Sequence, residues 1–294
     1  MTRTTRWSRV LVTGAAGGIG QAAVPYLRQR GFTVTALVLP ADSDPPPADR
    51  TVVGDAADVD TVADALTGCD AVVHLAALAH PSLGTPYEVY RNNVASTFNV
   101  LSQAGEASIH RAVIASSIHA PGYGLNPHTP LPAYFPLDED LPYDIADPYS
   151  LSKRSDELTA QMASRTWGMQ VVALRFPLVK TLPVLRQEKR VAEADPKSMV
   201  RTGWAYLTMT DAVRAIEAAL RAPLVGAHVI GLSAADTLLD RPTRRLLDEY
   251  APDVPRRRPF DGNAPLIDTT LAEHLLRFTP SESVHEDTGW GRRP

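Results

Sequence analysis

A tyrosine and a lysine four residues apart, Tyr149 and Lys153, have the types and spacing that proton-transfer chemistry needs. On a helix, this spacing brings both side chains to one face. The lysine ammonium would then stabilise a tyrosine phenolate by its charge, and the phenol could exchange a proton with a substrate hydroxyl or carbonyl. The pair alone also fits a purely structural interpretation, in which Lys153 pairs with Glu157 one turn further along the helix.

Two serines, Ser116 and Ser117, stand at the carboxyl end of a predicted strand upstream of this helix. Because open parallel sheets bind ligands at the carboxyl ends of their strands, Ser117 is placed to hydrogen-bond a substrate oxygen and orient it. With Tyr149 and Lys153 it completes a set of groups able to move one proton while hydride passes to or from a nicotinamide. His119 could meet a substrate oxygen or carboxylate, or could be an ordinary partly buried histidine.

A glycine-rich turn lies between the first predicted strand and the first predicted helix, with the sequence Gly14-Ala15-Ala16-Gly17-Gly18-Ile19-Gly20. Glycines let the backbone turn tightly and approach a pyrophosphate, whose charge the helix amides and the positive end of the helix dipole then hold. A plain tight turn is the structural alternative. The position of the motif, directly after strand one, predicts a dinucleotide-binding loop.

The end of the second predicted strand bears on the choice between NAD and NADP. An acidic residue there would bind the ribose 2′-hydroxyl of NAD, and an arginine would bind the 2′-phosphate of NADP. The chain has Val38 and Leu39 at this place, with Asp42 and Asp44 in the loop that follows, and no basic residue in the glycine loop. This composition favours NAD. Asp55, after the third strand, could face the adenine or could be a simple turn aspartate.

The elements that must position these groups alternate along the first half of the chain. Short β-branched runs and longer helical patterns predict an α/β protein of Rossmann type, with a doubly wound parallel sheet. The predicted strands are 9–13, 32–39, 52–53, 71–75, 111–115 and 170–175, and the predicted helices are 18–30, 87–108, 148–167 and 210–221. Proline-rich stretches at 44–47 and 127–142 are predicted loops.

Irregular sequence after residue 175 predicts a smaller carboxyl-terminal domain that binds substrate. We expect residues 1–176 to form the dinucleotide-binding domain, with 205–232 returning to it. The smaller domain would comprise 177–204 and 233–294. A length of 294 residues with 44% apolar composition is enough for one large core, or for one core with a smaller appendage.

Composition argues against several other classes of protein. The formal charge of -4 and the scattered basic residues disfavour nucleic acid binding, and the triple arginine at 256–258 is short enough to be a solvated surface run. A single cysteine, Cys69, rules out an internal disulfide and a zinc site of paired thiolates, and the histidines show no metal-ligand spacing. No apolar segment is long enough to cross a membrane and no export signal is visible, so we expect a cytoplasmic protein.

These motifs together resemble those of the extended short-chain dehydrogenase/reductases, specifically the NAD-dependent epimerase/dehydratase group. The matching segments occur in family order, at 14–20, 54–55, 70–77, 92–94, 115–117, 136–139, 149–153 and 174–175. The resemblance implies that Ser117, Tyr149 and Lys153 are catalytic, with Asn93 in support. It also implies cofactor contacts from Gly14, Ala16, Gly17, Gly18, Ile19, Gly20, Asp55, Ala56, Leu75, Ala76, Ala77, Tyr149, Lys153 and Phe176.

The same resemblance implies a sugar-like substrate between the sheet and the smaller domain, contacted by Leu78, Ser117, His119, Tyr149 and Arg175. Dehydratases of the group carry acidic residues directly after the catalytic serine or threonine, whereas Ile118 and His119 stand here, which disfavours dehydration. The usual asparagine-containing turn after Arg175 is replaced by 176–178. The segment 116–119, with 122–123 and Arg175, is similar to uronate dehydrogenases, which oxidise free sugar acids.

The sequence therefore predicts an NAD(P)-dependent oxidoreductase that acts on a hydroxyl or carbonyl group of a sugar or sugar derivative. A nucleotide-sugar epimerase with tightly held NAD is the alternative within the family. A protein that senses NAD(P) without catalysis is the alternative from another class. The resemblance also implies a homodimer, formed through the helix that carries Tyr149 and the long helix before strand five. No metal, membrane or nucleic acid partner is expected.

Overall fold

The structure, a computed structural model, describes residues 8–285. The predicted start of the first domain, at 1–7, and the predicted end of the second, at 286–294, lie outside these residues. Within 8–285 the chain forms nine strands, namely β1 (Arg9–Thr13), β2 (Thr33–Val38), β3 (Arg50–Val53), β4 (Ala71–His74), β5 (Arg111–Ser117), β6 (Gln170–Phe176), β7 (Leu178–Lys180), β8 (Tyr206–Thr208) and β9 (Ala227–Gly231).

Eight α-helices lie in the described part of the chain, and some of them begin directly after a capping side chain. They are α1 (Gly18–Gln29), α2 (Val59–Leu66), α3 (Pro86–Glu106), α4 (Pro148–Trp167), α5 (Leu182–Ala194), α6 (Met209–Arg221), α7 (Thr243–Tyr250) and α8 (Thr270–Leu276). Carboxylates of Asp58 and Asp147 accept hydrogen bonds at the starts of α2 and α4. Thr85 and Glu88 form a capping box at α3. Local sequence therefore sets where these helices start.

Seven strands form one parallel sheet in the order β3-β2-β1-β4-β5-β6-β9. The chain runs outward from β1 to β3, crosses back, and continues from β4 on the other side of β1. This reversal confirms the predicted Rossmann-type, doubly wound architecture. In such sheets a ligand binds in the crevice at the carboxyl ends of the strands where the order reverses, here β1 and β4.

Two buried apolar clusters cover the two faces of this sheet. One lies between the sheet and α1, α6 and α8, and the other lies between the opposite face and α2, α3 and α4. All four residues of β4 are buried, as expected for a central strand covered on both sides. The strand ends are therefore held in a rigid frame.

A third apolar cluster gathers residues from 123–141, which overlaps the predicted loop 127–142, and from the chain from residue 185 onward. Phe135 and Trp204 are fully buried within it. The predicted domain limits place residues 123–141 in the first domain. The apolar side chains of this segment, however, pack in the third cluster. From the predicted returning segment 205–232, β9 joins the main sheet and α6 covers it. The domain limits themselves stay a prediction.

The described residues contain neither a membrane-spanning helix nor a group of side chains that could hold a metal ion. Within 8–285, no helix combines the length and the apolar character needed to cross a membrane. In the same range, no group of three or more histidine, cysteine, aspartate or glutamate side chains is arranged to hold a metal ion. Cys69 is half-buried, and burial raises the pKa of its thiol, so the thiol is neutral near pH 7.

Candidate active site

The glycine loop approaches its neighbours so closely that two of its positions accept only a hydrogen atom as side chain. Gly14 has a φ of +62°, and a β-carbon there would stand 2.6 Å from the amide nitrogen of Ala76. A β-carbon on Gly20 would overlap the carbonyl oxygen of Gly14. The Gly17 amide donates to the same oxygen at 3.0 Å, which closes the turn directly before α1.

The amino end of α1 suits an anion. Its N-cap is Gly17, which offers no side-chain oxygen, and the first turn carries no acidic residue. The helix amides there have no side-chain cap, and such amides, with the positive end of the helix dipole, bind phosphate groups. The residues present therefore fit the pyrophosphate of a dinucleotide. The individual contacts predicted for Ala16, Gly18 and Ile19 stay predictions.

The segment after β4 lies directly beside this loop. The Thr13 hydroxyl accepts hydrogen bonds from the amides of Leu75 and Ala76 at 3.2 and 3.3 Å. Thr13 Oγ1 also lies 2.8 Å from Nδ1 of His74, whose Nε2 lies 3.1 Å from Thr97 Oγ1. Burial lowers the pKa of His74 to about 3, so this ring is a neutral part of the core. The structure thus brings the glycine loop and the residues after β4 together.

Helix α4 carries Tyr149 and Lys153 on its buried face. The Asp147 carboxylate caps the helix by accepting from the Ser150 amide at 2.8 Å. Lys153 Nζ donates to the carbonyl oxygen of Ala115 at 2.9 Å, which ties the helix to the carboxyl end of β5. The tyrosine–lysine pair therefore stands at the edge of the sheet where Rossmann-type folds bind ligands.

The acidic partner of Lys153 is Asp156, 3.1 Å from Nζ, and both side chains are buried. The structural interpretation that paired Lys153 with Glu157 is wrong, because the Glu157 carboxylate is bound by Arg154 and Arg175. Burial favours the neutral amine of Lys153, but the nearby acidic groups, with Asp156 foremost, outweigh it and raise the pKa. Lys153 is therefore a buried ammonium ion.

Ser117 and His119 complete a group of side chains around Tyr149. Ser117 is buried at the end of β5, and its Oγ accepts from the His119 amide at 3.1 Å. The His119 ring meets the Tyr149 ring edge-on, with centroids 6.3 Å apart. Burial lowers the pKa of His119 to about 4, so the imidazole is neutral near pH 7. Among the described residues, no hydrogen bond joins Ser117 directly to Tyr149.

Asn93 is buried and connects three parts of the site. Its Oδ1 accepts from the Leu78 amide at 2.8 Å, and its Nδ2 donates to Ser152 Oγ at 3.0 Å. The Ser152 hydroxyl donates in turn to the carbonyl oxygen of Tyr149 at 2.8 Å. Asn93 thus holds the backbone of Tyr149 and the chain at Leu78. These bonds offset its poor helix propensity, and a contact with the reacting groups stays a prediction.

Arg175 is buried, and its guanidinium has internal partners. Nε and Nη2 donate to the two carboxylate oxygens of Glu157 at 2.8 and 3.0 Å, and Nη2 also donates to the Tyr143 hydroxyl at 3.0 Å. Ser116 donates to the same carboxylate at 2.7 Å. The charge of Arg175 is thereby matched inside the protein. Its structural role was not predicted from the sequence, and its contact with substrate stays a prediction.

Three further predicted cofactor residues follow β3 or end β6. Asp55 is exposed, and its Oδ1 accepts from the Ala57 amide at 2.9 Å, which is the geometry of a turn aspartate. Ala56 is buried, and its carbonyl oxygen accepts from the Asn99 side chain at 2.9 Å. Phe176 is buried at the end of β6. Carboxyl ends of parallel strands share one edge, so all three lie on the ligand side, but their contacts with a cofactor stay predictions.

Asp156, Ser152 and Glu139 take part in the site without having been singled out from the sequence. Glu139 is partly buried, which raises the pKa of its carboxyl, and its Oε1 accepts from the Gly231 amide at 2.6 Å. The motif at 136–139 was a signal for this residue. For Asp156 the signal was its spacing, because a side chain three residues after Lys153 lies next to it on a helix.

Residues 10–231 match the NAD dependent epimerase/dehydratase family. A uronate dehydrogenase of Agrobacterium fabrum is 30% identical over 230 residues, which cover 78% of each chain. An L-arabinose 1-dehydrogenase (NAD(P)(+)) of Haloferax volcanii is 30% identical over 210 residues, which cover 67% of this chain and 77% of the other. A solved UDP-glucose 4-epimerase of Thermotoga maritima superposes with a TM-score of 0.70 over 94% of each chain, at 19% identity.

The family match spans the sheet from β1 to β9, including the glycine loop and the helix with Tyr149 and Lys153. The similar chains carry the names of dehydrogenases and epimerases. The solved epimerase, at its low identity, speaks for the fold alone. By its family match, this chain is an enzyme that belongs to the NAD-dependent epimerase/dehydratase family.

Proposed function

We propose that this protein is an NAD-dependent dehydrogenase that oxidises a hydroxyl group of a sugar acid or related sugar, or reduces the corresponding carbonyl. The observation that carries the proposal is the position of Lys153. Its ammonium donates a hydrogen bond to the carbonyl oxygen of Ala115 near the end of β5. Lys153 also lies one helical turn after Tyr149, on the same buried face of α4. A phenol beside a buried ammonium, next to Ser117, suits proton exchange with a carbon-bound oxygen.

Each residue of the group has one task in this mechanism. Tyr149, as phenolate, takes the hydroxyl proton of the substrate during oxidation and returns it during reduction. Lys153 stabilises the phenolate by its charge, and the Ser117 hydroxyl orients the substrate oxygen by a hydrogen bond. Residues 14–20 would hold the pyrophosphate of a dinucleotide, whose nicotinamide would supply the hydride acceptor or donor.

The residues after Ser117 support a sugar acid or free sugar as substrate. Ile118 and His119 supply no carboxylate for the removal of water, so dehydration is disfavoured. The neutral His119 ring, against Tyr149, can form a hydrogen bond with a substrate oxygen or carboxylate. The names uronate dehydrogenase and L-arabinose 1-dehydrogenase among the relatives support the same class of substrate.

NAD is the dinucleotide that the loop after β2 favours. Leu39 is exposed, and Asp42 folds back on it, with Oδ2 accepting from the Leu39 amide at 2.8 Å. Residues 31–49 include no lysine or arginine, and neither do residues 14–20. A 2′-phosphate would therefore meet a carboxylate and no cation from these two segments.

The test is turnover by the purified protein with NAD and a panel of D-glucuronate, D-galacturonate, L-arabinose and UDP-glucose, followed by nicotinamide absorbance. We expect NADH formation with a sugar acid or free sugar, and its loss in Tyr149→Phe. Interconversion of UDP-sugars without net NADH would assign the protein as an epimerase instead. A Tyr149→Phe protein that keeps its full biological activity would point to a non-catalytic NAD(P) sensor.

A homodimer through α3 and α4 is part of the proposal. The hydroxyls of Tyr90 and Ser155, 3.4 Å apart, join the two helices side by side. Phe98 on α3 and Leu151 and Leu158 on α4 are 53%, 44% and 48% exposed. Leu151 and Leu158 are seven residues apart and share a helix face. Large exposed apolar side chains on neighbouring helices are expected where a second copy packs.

A further inference from the structure

One member of a buried ion pair inside the candidate site, Asp156, has no task in the proposed mechanism. Lys153 Nζ lies 3.1 Å from Asp156 Oδ2, and the two side chains are 5% and 2% exposed. Taking a carboxylate and an ammonium out of water is unfavourable for each ion, and only a close partner offsets that cost. A carboxylate buried at this position therefore needs a reason.

We infer that Asp156 is a positioning residue that keeps the Lys153 side chain protonated and fixed beside Tyr149 throughout the working pH range. This inference rests on the proposed function, which gives the ammonium its role. Asp156 acts through Lys153 and has no contact of its own with the reacting atoms.

The hydrogen bonds of the ammonium support the positioning role. Lys153 has three N–H donors. One goes to the carbonyl oxygen of Ala115 at 2.9 Å, and another goes to Asp156 at 3.1 Å. These acceptors stand on different elements, β5 and α4, so together they fix the place of Nζ. The third N–H has no acceptor among residues 8–285 and is left for the phenolate or a ribose hydroxyl.

The charges that face the ammonium explain why it depends on Asp156. His74, at the end of β4, is neutral because burial lowers its pKa to about 3, so it supplies no negative charge. Tyr149 does so only when it is ionised, and the Glu157 carboxylate is already bound by two arginines. Asp156 is therefore the foremost group that raises the pKa of Lys153 against burial. Without it, the buried amine would lose its proton at lower pH.

A titration of the lysine side chains by NMR tests the inference directly. The chain has four lysines, at 153, 180, 189 and 197, so isotope labelling of the lysine ε-carbons gives few signals, and Lys153→Arg identifies the one from Lys153. In the wild type we expect this signal to titrate at higher pH than an ordinary exposed lysine. Asp156→Asn should move its midpoint to lower pH, while Asp156→Glu, which keeps a carboxylate, should retain most of the wild-type behaviour. Lys180 and Lys197, which are both exposed, are internal controls.

The titration needs no substrate, so the role of Asp156 can be disproved while the proposed function stands. The proposed function can likewise be disproved while Asp156 still keeps Lys153 protonated. A wild-type Lys153 that titrates with or below the exposed lysines overturns it, even if Asp156→Asn does not fold. An unchanged midpoint in a folded Asp156→Asn protein overturns it too. Where turnover is measurable, kcat/KM of Asp156→Asn should fall at least about tenfold at alkaline pH relative to neutral pH, while the wild type keeps its plateau. A loss that is equal at every pH would indicate a merely structural role.

Discussion

The backbone of Ala76 lies so close to Gly14 that a β-carbon on the glycine would stand 2.6 Å from the Ala76 amide nitrogen. The φ of +62° at Gly14 adds a second cost for any other residue. We expect Gly14→Ala to lower the free energy of unfolding by at least about 1–2 kcal/mol and to abolish dinucleotide binding. Denaturant unfolding and titration with NAD measure the two effects.

Gly18→Ala is the matched control, because a β-carbon at Gly18 meets no atom within 4 Å and the residue lies in α1. We expect its free energy of unfolding to stay within about 1 kcal/mol of the wild type. Equal destabilisation by both substitutions would contradict the special position of Gly14. Wild-type affinity of Gly14→Ala for NAD would do the same.

Removing the phenol hydroxyl should stop the proposed proton transfer. In Tyr149→Phe we expect kcat to fall by about 10²–10⁴-fold, the usual contribution of one general acid or base, with NAD affinity within a few fold of the wild type. Tyr87→Phe is the control, since Tyr87 is 70% exposed on α3 and should keep its kcat. Steady-state kinetics on the best substrate of the panel measure both. A Tyr149→Phe enzyme with wild-type kcat would rule out the assigned role.

A cation at the end of β2 should relax the preference for NAD. Leu39→Arg puts a guanidinium at an exposed position that follows this strand, where a 2′-phosphate would lie. We expect the ratio of kcat/KM for NADP to that for NAD to rise at least about tenfold, as one charge-assisted contact allows. Val225→Arg, at a position that is 82% exposed, is the control for an added surface charge. The same rise in both variants would show that the end of β2 does not select the cofactor.

A charge on the outer faces of α3 and α4 should disrupt the proposed dimer. Phe98→Glu and Leu158→Glu each put a carboxylate where an apolar side chain is about half exposed. We expect a dimer for the wild type and a monomer for the double variant, by light scattering after gel filtration. Val191→Glu, on the exposed side of α5, should leave the mass unchanged. A monomeric wild type at micromolar concentration would end this part of the proposal.

Long elements with strong local signals were predictable from the sequence. Helix α4 has its predicted bounds because Asp147 caps it, Pro148 opens it and Gly168 ends it in the left-handed region. The helix Val59–Leu66 and the strand Ala227–Gly231 were not predicted. Both are short, and β9 is only partly buried, so its apolar pattern is weak and its place is set by pairing with β6.

Within the candidate site, sequence alone could bring Tyr149 and Lys153 to one face but could not choose the carboxylate that pairs with the lysine. Asp156 and Glu157 are neighbours in the chain and lie about 100° apart around a helix. The choice depends on Arg175, which reaches Glu157 from β6 and leaves Asp156 to Lys153. A residue from a distant strand therefore decides which carboxylate pairs with Lys153, and spacing along one helix cannot reveal such a residue.

The buried histidine between Thr13 and Thr97 should make stability depend on pH. His74 has a folded pKa of about 3, against about 6.5 in an unfolded chain. Between these values the unfolded chain binds a proton that the folded chain does not, so the free energy of unfolding falls as the pH falls through this window, by up to about 1.4 kcal/mol per pH unit. Above about pH 6.5 the full contribution is present.

His74→Gln removes the group that binds this proton in the unfolded chain, but it keeps a polar side chain for the two threonine hydroxyls. We expect the slope of unfolding free energy against pH, between about pH 5 and 6.5, to decrease relative to the wild type by up to about 1.4 kcal/mol per pH unit, the value for one bound proton. His119, whose pKa burial lowers to about 4, still contributes in both proteins. A His74→Gln slope equal to the wild-type slope would mean that His74 binds its proton in the folded state as well.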